Sequence, residues 1–382
     1  MVVAMVALLT GLITEFMFTS TIDMVLATGA RDELQAELNA LSALRMRAII
    51  LKQQGAIKPL VGSLMGIMGG EAGASAGAGT SLSLGPVIEQ IPVSCSLLNA
   101  ITRAVDVDDA GVGKASAASA GARPDFFFGD CEATSKSEHG KIPINLLRQG
   151  VGANDTQVKG LLLEVLGNNA LRRLFEQDDR TGQHADSPLA LVNHITDWID
   201  LDHNEQGSFG DEDRYYQYLR DPYRAKNAPM DSVAELKLVH GVNDLLFSLL
   251  EQSVTVYTSN PKIELGTASD QMVAMALLRA VKPGMATEQM MGAVGTAVAV
   301  VRQLRANPMQ RVTVATLHST LRLAAPGLDQ AFDLAALKRT FNEEESTTWY
   351  TIEASGSVGR ATRKIRVVFQ AVEGTFSYAR ID

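Results

Sequence analysis

Residues 197–242 read DWIDLDHNEQGSFGDEDRYYQYLRDPYRAKNAPMDSVAELKLVHGV. Within 197–213 stand seven carboxylates, Asp197, Asp200, Asp202, Glu205, Asp211, Glu212 and Asp213, and no Lys or Arg. Crowding acids in one loop raises the free energy of their charged state unless a cation or arginines compensate it. Two readings of the loop stay open. In one, Arg214, Arg220 and Arg224 partly neutralise a solvated acidic loop. In the other, Ca²⁺, a hard cation of flexible geometry that prefers oxygen ligands, sits among Asp200, Asp202, Asp211, Glu212 and Asp213, with Asn204 as a weaker donor. Asp200 and Asp202, two apart, would share one side of an extended loop. Glu212 and Asp213 open the segment leading to Tyr215 and Tyr216, where a carboxylate at a helix start is also held by backbone amides. The spacing is not that of an EF-hand loop.

Outward from this loop the pattern is helical. Apolar residues recur at helical spacing over 156–168 and 188–198 before it, and over 232–239, 243–250, 269–281, 287–306 and 314–323 after it. Strand patterns lie outside that block. Short β-like runs at 126–128 and 141–145 flank a polar turn, TSKSEHG (134–140). Near the end 347–357 and 364–372 read as strands, the second alternating Ile365, Val367, Phe369 and Ala371, with Gly359-Arg360-Ala361-Thr362 as a hairpin turn. Helices bracketed by strands result when a helical domain is inserted into a small α+β domain. The expected fold class is therefore α+β. Its parts are an N-terminal helix (1–55), a flexible Gly/Ala/Ser-rich insertion (56–123), a first α+β part (124–155), an inserted α-helical domain (156–345) and a second β part (346–382).

The N-terminus reads MVVAMVALLTGLITEFMFTSTI (1–22), long enough to cross a hydrocarbon core of about 30 Å at about 1.5 Å per residue. Glu15 interrupts it, and a mid-bilayer carboxylate costs about 2.5 to 3.5 kcal/mol on insertion scales, so the span favours a protein neighbour over lipid alone. No basic region precedes the apolar run, so it reads as a retained helix rather than a cleaved signal. Amphipathic periodicity continues through RDELQAELNALSALRMRAIILKQQ (31–54), with Leu34, Leu38 and Leu41 at helical spacing, and the helix is expected to run to about Lys52. Two tracts, GGEAGASAGAGT (69–80) and AGVGKASAASAGA (110–122), cannot bury enough apolar surface to order themselves. Between them PVIEQIPVSCSLLNAITRAVD (86–106) reads as one helix.

Over 382 residues the net charge is −9 and the basic residues are scattered, which argues against a phosphate backbone as main partner. Two cysteines, Cys95 and Cys131, are too few for a cysteine-built zinc site. They either pair, in an oxidising compartment, or stay free thiols. The six histidines lack zinc-site spacing.

WIDLD (198–202), then GDEDRYY (210–216), PYRAKN (222–227) and DSVAELKLVHGV (231–242) together resemble the general secretion pathway protein K family, the large minor pseudopilins of type II secretion systems. PDFFFGD (124–130) with SEHGKIPINLL (137–147) resembles the family's early strand pair. PKIELGTASDQMVAMALLRAV (261–281) resembles a later helical segment, with Glu264 and Gly266 where asparagines are usual. The resemblance covers 1–55 and 124–382. It implies a pseudopilin fold: a long N-terminal helix, a small antiparallel sheet and a large inserted α-domain, with calcium in the head. It also implies a non-enzymatic subunit at the pseudopilus tip, anchored singly in the bacterial inner membrane with its head in the periplasm. Minor pseudopilins of the I and J classes are the implied partners, with the H class and the major pseudopilin as further ones.

Two other classes compete with this reading. AVKPGMATEQMM (280–291) between helical runs is a faint match to a nucleic-acid-binding helix-hairpin-helix, but few basic residues surround Pro283-Gly284. A hydrolase built on the acidic cluster lacks a nucleophile-base pair, a phosphate loop or a zinc-protease helix. A different membrane-anchored binding protein is the remaining alternative.

Overall fold

The computed structural model describes residues 2–68, 92–100, 127–149, 152–168, 171, 174–175, 185, 187–207, 210–307, 312–324, 327–342 and 348–381. Most of the expected insertion at 56–123, including both Gly/Ala/Ser tracts, lies outside them. The chain forms two compact units: Met1–Ala56, Ile88–Lys136 and Tyr350–Asp382 make the first, Ile57–Val87 and Ser137–Trp349 the second. Helix α1 (Val2–Met68) is unbroken. It continues past the Lys52 end expected from periodicity, because extending a formed helix costs far less than starting one.

The first unit is a five-stranded sheet ordered β1-β2-β7-β8-β9, with β1 at Val93–Ser94, β2 at Asp130–Ser137, β7 at Trp349–Val358, β8 at Ala361–Gln370 and β9 at Thr375–Ile381. The pairs β1–β2 and β8–β9 are antiparallel. One stripe of α1 is buried in this unit: Ala36, Ala40, Ala43, Leu44, Arg47, Ala48 and Leu51, at the helical repeat. Alanines suit it because Gly356 of β7 comes so close that a Cβ there would stand 2.7 Å from the Ala40 nitrogen. Larger side chains would force the helix off the sheet. Tyr350, Ile352, Ile365, Val367 and Phe369 fill the space beneath.

Two sequence expectations fail here. The early strand of the sheet is Asp130–Ser137 and occupies much of the supposed polar turn, which shrinks to Glu138–Lys141; of the run at 141–145, Ile142–Pro143 is strand. The buried face of β2 is Cys131, Ala133, Ser135 and Ser137, too polar to read as apolar alternation. Burial of Ser135 is tolerated because its hydroxyl accepts Arg47 Nε at 3.0 Å and Nη2 at 2.7 Å. Residues 86–106 do not make one helix, since Val93–Ser94 pairs with β2 before helical residues 95–100. The last strand, β9, was not anticipated, its faces being too exposed to alternate.

Cys95 and Cys131 form a disulfide, Cα–Cα 4.9 Å. Asn99 adds a second tie at the same place, donating to Phe127 O at 3.3 Å and accepting from Phe127 N at 3.0 Å.

The second unit is helical: α2 (Ala153–Leu166), α3 (Pro188–Ile199), α4 (Asp244–Ser253), α5 (Asp270–Leu278), α6 (Thr287–Arg305), α7 (Val314–Ala324) and α8 (Leu334–Thr340). Two short parallel strand pairs stitch it, β3 (Ile142–Pro143) with β4 (Val254–Thr255), and β5 (Ile263–Glu264) with β6 (Phe341–Asn342). Caps set helix starts: Ser187, Asn243 and Ser269 each accept a backbone N–H three residues on. Leu161, Leu162, Leu191, Ile195, Val273, Leu277, Val301 and Leu317 are fully buried in its core. The architecture is thus α+β, with a long N-terminal helix, a small sheet and a helix-rich unit.

Candidate metal centre

Helix α3 begins where Ser187 caps it and Pro188 pre-sets its first turn. It delivers Asp197 near its end and Asp200 at its C-cap. The chain then turns back on itself. An isolated bridge pairs Asn204 with Asp211, and Glu205 N donates to Gly210 O at 3.1 Å. Asp211 caps the short 3₁₀ helix Glu212–Tyr215 by accepting Asp213 N. That closure brings Glu212 onto Asp197 and Asp200. All three are buried, and one carboxylate oxygen from each lies within 4.8 Å of the others.

These oxygens are poorly served. Asp197 accepts Gln206 N at 2.9 Å, and Gln206 Nε2 reaches Asp200 Oδ2 at 3.3 Å. Asp200 Oδ1 and both Glu212 oxygens are buried with no hydrogen bond of ordinary geometry. The Asn227 side chain stands near enough to ease Glu212 only in part. Burial, then repulsion from the neighbouring acids, pushes Glu212 up to about 8. Burial pushes Asp197 up to about 7, although Gln206 opposes it, and burial with Asp202 repulsion pushes Asp200 up to about 6. A buried anion without donors takes a proton or a cation. The wall behind is aromatic: Trp198 meets Tyr216 edge-on at 5.5 Å and Tyr223 at 6.1 Å.

The sequence-predicted residues separate. Asp200 and Glu212 converge. Asp202 is exposed beside them, accepting Asn204 N at 2.8 Å, and Asn204 is itself exposed. Asp211 is the cap just described. Asp213 holds a loop, accepting Ala225 N at 2.9 Å with Arg224 at 3.7 Å. Glu205 takes Arg214 at 2.6 Å and Tyr215 OH at 2.9 Å, so arginine compensation operates there and not at the triad. Asp197 stands outside the set expected from sequence. The signal for it is the i,i+3 spacing to Asp200 at the end of an amphipathic helix, which puts both on one face.

An all-oxygen donor set with unmet lone pairs fits a hard divalent cation and not a thiolate- or imidazole-preferring metal. In the turn at 280–291 Lys282 N donates to Ala331 O at 2.9 Å, and Gly284 holds φ +95°.

Comparison with known proteins places a match at this segment. Residues 141–259 match the family described as "Type II secretion system (T2SS), protein K". A type II secretion system protein K from Pectobacterium carotovorum subsp. carotovorum is 32% identical over 107 residues, 28% of this chain and 30% of that protein. One from Aeromonas hydrophila is 31% identical over 114 residues, 30% of this chain and 32% of that protein. The match therefore spans under a third of either relative. A chain of the GspK-GspI-GspJ complex from the enterotoxigenic Escherichia coli type 2 secretion system superposes with a TM-score of 0.49 at 16% identity, covering 66% of this chain and 80% of that one.

Proposed function

We propose, taking as premise the match of residues 141–259 to type II secretion system protein K, that this chain is a minor pseudopilin at the tip of the pseudopilus, supporting its initiation and protein export across the outer membrane. One observation carries the reading: a single helix serves as candidate membrane span and as core helix of the sheet unit. Its early residues Leu8, Leu12, Ile13 and Phe16 are exposed, and an 18-residue window within Leu8–Gln53 has mean hydropathy 1.3 with none of it buried. Its later stripe from Ala36 to Leu51 is buried. Along the span, Thr10, Thr14 and Thr21 donate their hydroxyls to carbonyls one turn back, which satisfies these groups within the helix. The helix thus joins anchor to head with no linker.

The anchor lies in the inner membrane and the head in the periplasm, an oxidising compartment that suits the Cys95–Cys131 disulfide. Leu34 and Leu38, 59% and 47% exposed, face away from the sheet and supply the surface for the I- and J-class minor pseudopilins. The role is structural, without catalysis. The chain's parts are the anchor helix 1–55, the insertion 56–123, the first pseudopilin part 124–155, the inserted helical domain 156–345 and the second β part 346–382.

The triad Asp197, Asp200 and Glu212 holds a structural Ca²⁺, with Asp202 at its exposed edge and Asp211 and Asp213 shaping the loop. The ion would tie the end of α3 to the Glu212–Tyr215 turn.

Two measurements test the reading. Carbonate washing of membranes should leave the full-length protein in the pellet; release to the soluble fraction sinks the anchor. Co-purification with I- and J-class subunits should fail when Leu34 and Leu38 are made Glu, and unchanged recovery sinks the interface.

A further inference from the structure

The two turns that bound β8 meet α1 at different heights. At the β7–β8 turn a Cβ on Gly359 would stand 2.9 Å from Asp32 Oδ2, and Arg363 pairs with Glu33. At the β8–β9 turn a Cβ on Gly374 would stand 2.7 Å from Lys52 Nζ. The β7–β8 turn is therefore the one toward the apolar run. From Asp23, which ends the run 1–22, a continuous helix rises about 14 Å to Asp32. The headgroup layer takes up about 5 to 8 Å of that rise, which leaves the turn within about a Debye length of the lipid phosphates.

The charge of this turn is opposite to that of the chain. Over the whole sequence the net charge is −9, yet 354–372 holds Arg360, Arg363, Lys364 and Arg366 and no acid. Arg363 is engaged by Glu33, and Arg366 lies 3.8 Å from Glu353. Arg360, Lys364 and, on the helix, Arg31 are exposed and form no ion pair among the described residues. The Glu33–Arg363 pair and the close approach at Gly359 fix the turn on α1, so Arg31 and Arg360 share one level above the bilayer.

We propose that Arg31 and Arg360, with Lys364 behind them, bind the anionic phospholipid headgroups of the membrane that α1 enters, seating the sheet unit on the bilayer surface. The inference rests on α1's being the membrane anchor. A guanidinium matches a phosphate with two parallel N–H donors, and cations held within a Debye length of an anionic surface are each drawn to it.

The test is electron paramagnetic resonance of the full-length protein in phosphatidylcholine bilayers doped with spin-labelled phosphatidylglycerol or spin-labelled phosphatidylcholine, comparing the motionally restricted fraction of each label. Wild type should prefer phosphatidylglycerol about fivefold. The preference should fall to near unity in molar salt, where the Debye length shrinks to about 3 Å, and in Arg31→Gln with Arg360→Gln. Lys282→Gln with Arg322→Gln, at exposed cations of the helical unit, should leave it unchanged. Equal preference in wild type and the Arg31 and Arg360 variant overturns the proposal. So does an equal loss in the Lys282 and Arg322 variant, since net charge alone would then account for it. Should the first variant not fold, a preference that survives molar salt overturns it. If that variant keeps its lipid preference but no longer co-purifies with I- and J-class subunits, the basic end is a protein contact and the proposal falls. Restricted lipid of neither kind instead removes the anchor itself, a different failure.

Discussion

The two units each bury charge, and they treat it oppositely. In the sheet unit Arg47, 1% exposed, is engaged by the Ser135 hydroxyl through two of its nitrogens. In the helical unit Asp197, Asp200 and Glu212 are buried together with three of their oxygens unserved. Burying a charge costs several kcal/mol unless partners replace water. The arginine meets a hydrogen-bond acceptor within its own unit. The carboxylate site asks for a ligand. Neutralising charge should therefore weaken the first unit and strengthen the second.

The largest effect should come from opening the sheet unit covalently. The Cys95–Cys131 bond closes a loop of 36 residues, so replacing both by Ser should cost about 3 to 4 kcal/mol by the chain-entropy estimate. Denaturant unfolding of the purified protein, with and without reductant, reads it, and coincident curves would show that the bond adds nothing. Arg47→Ala comes next, at about 3 kcal/mol, because it leaves a cavity and an orphaned Ser135. A neutral effect would mean that Arg47 is not buried as the helix stripe requires.

The opposite sign is expected at the triad. Measured in chelator above about pH 8, where both groups carry charge, Asp200→Asn with Glu212→Gln should raise the melting temperature, since two strained charges disappear, and should abolish the rise that calcium gives wild type. That rise corresponds to about 2.7 kcal/mol at a hundred times the dissociation constant. If the double variant keeps the calcium response, the ion sits elsewhere. The triad also predicts a pH dependence. Folded Asp200, Asp197 and Glu212 hold protons up to about 6, 7 and 8, against ordinary values of 3.8 and 4.5, so the native state binds more protons than the unfolded chain between those limits. Stability in chelator should then fall as pH rises from about 4 to about 8, and calcium should flatten the fall. A chelator profile that climbs over this range would mean that the triad is solvated.

By itself the sequence determined the elements whose burial is apolar and periodic. The alternation Ile365, Val367, Phe369 marked β8, the apolar recurrence over 188–198 marked α3, and the carboxylate density of 197–213 marked the loop in which three buried carboxylates converge. Only tertiary structure decided the rest, because the deciding partner lay far along the chain. Strand β2 is buried through small and polar residues that become acceptable only when Arg47, 88 positions away, meets Ser135. The buried side of α1 is its alanine stripe because Gly356 lets the helix approach, while the larger Leu34 and Leu38 stay outside. Among seven acids, spacing puts Asp197 and Asp200 on one helix face, but only the backbone closure at the Asn204–Asp211 bridge brings Glu212 to them.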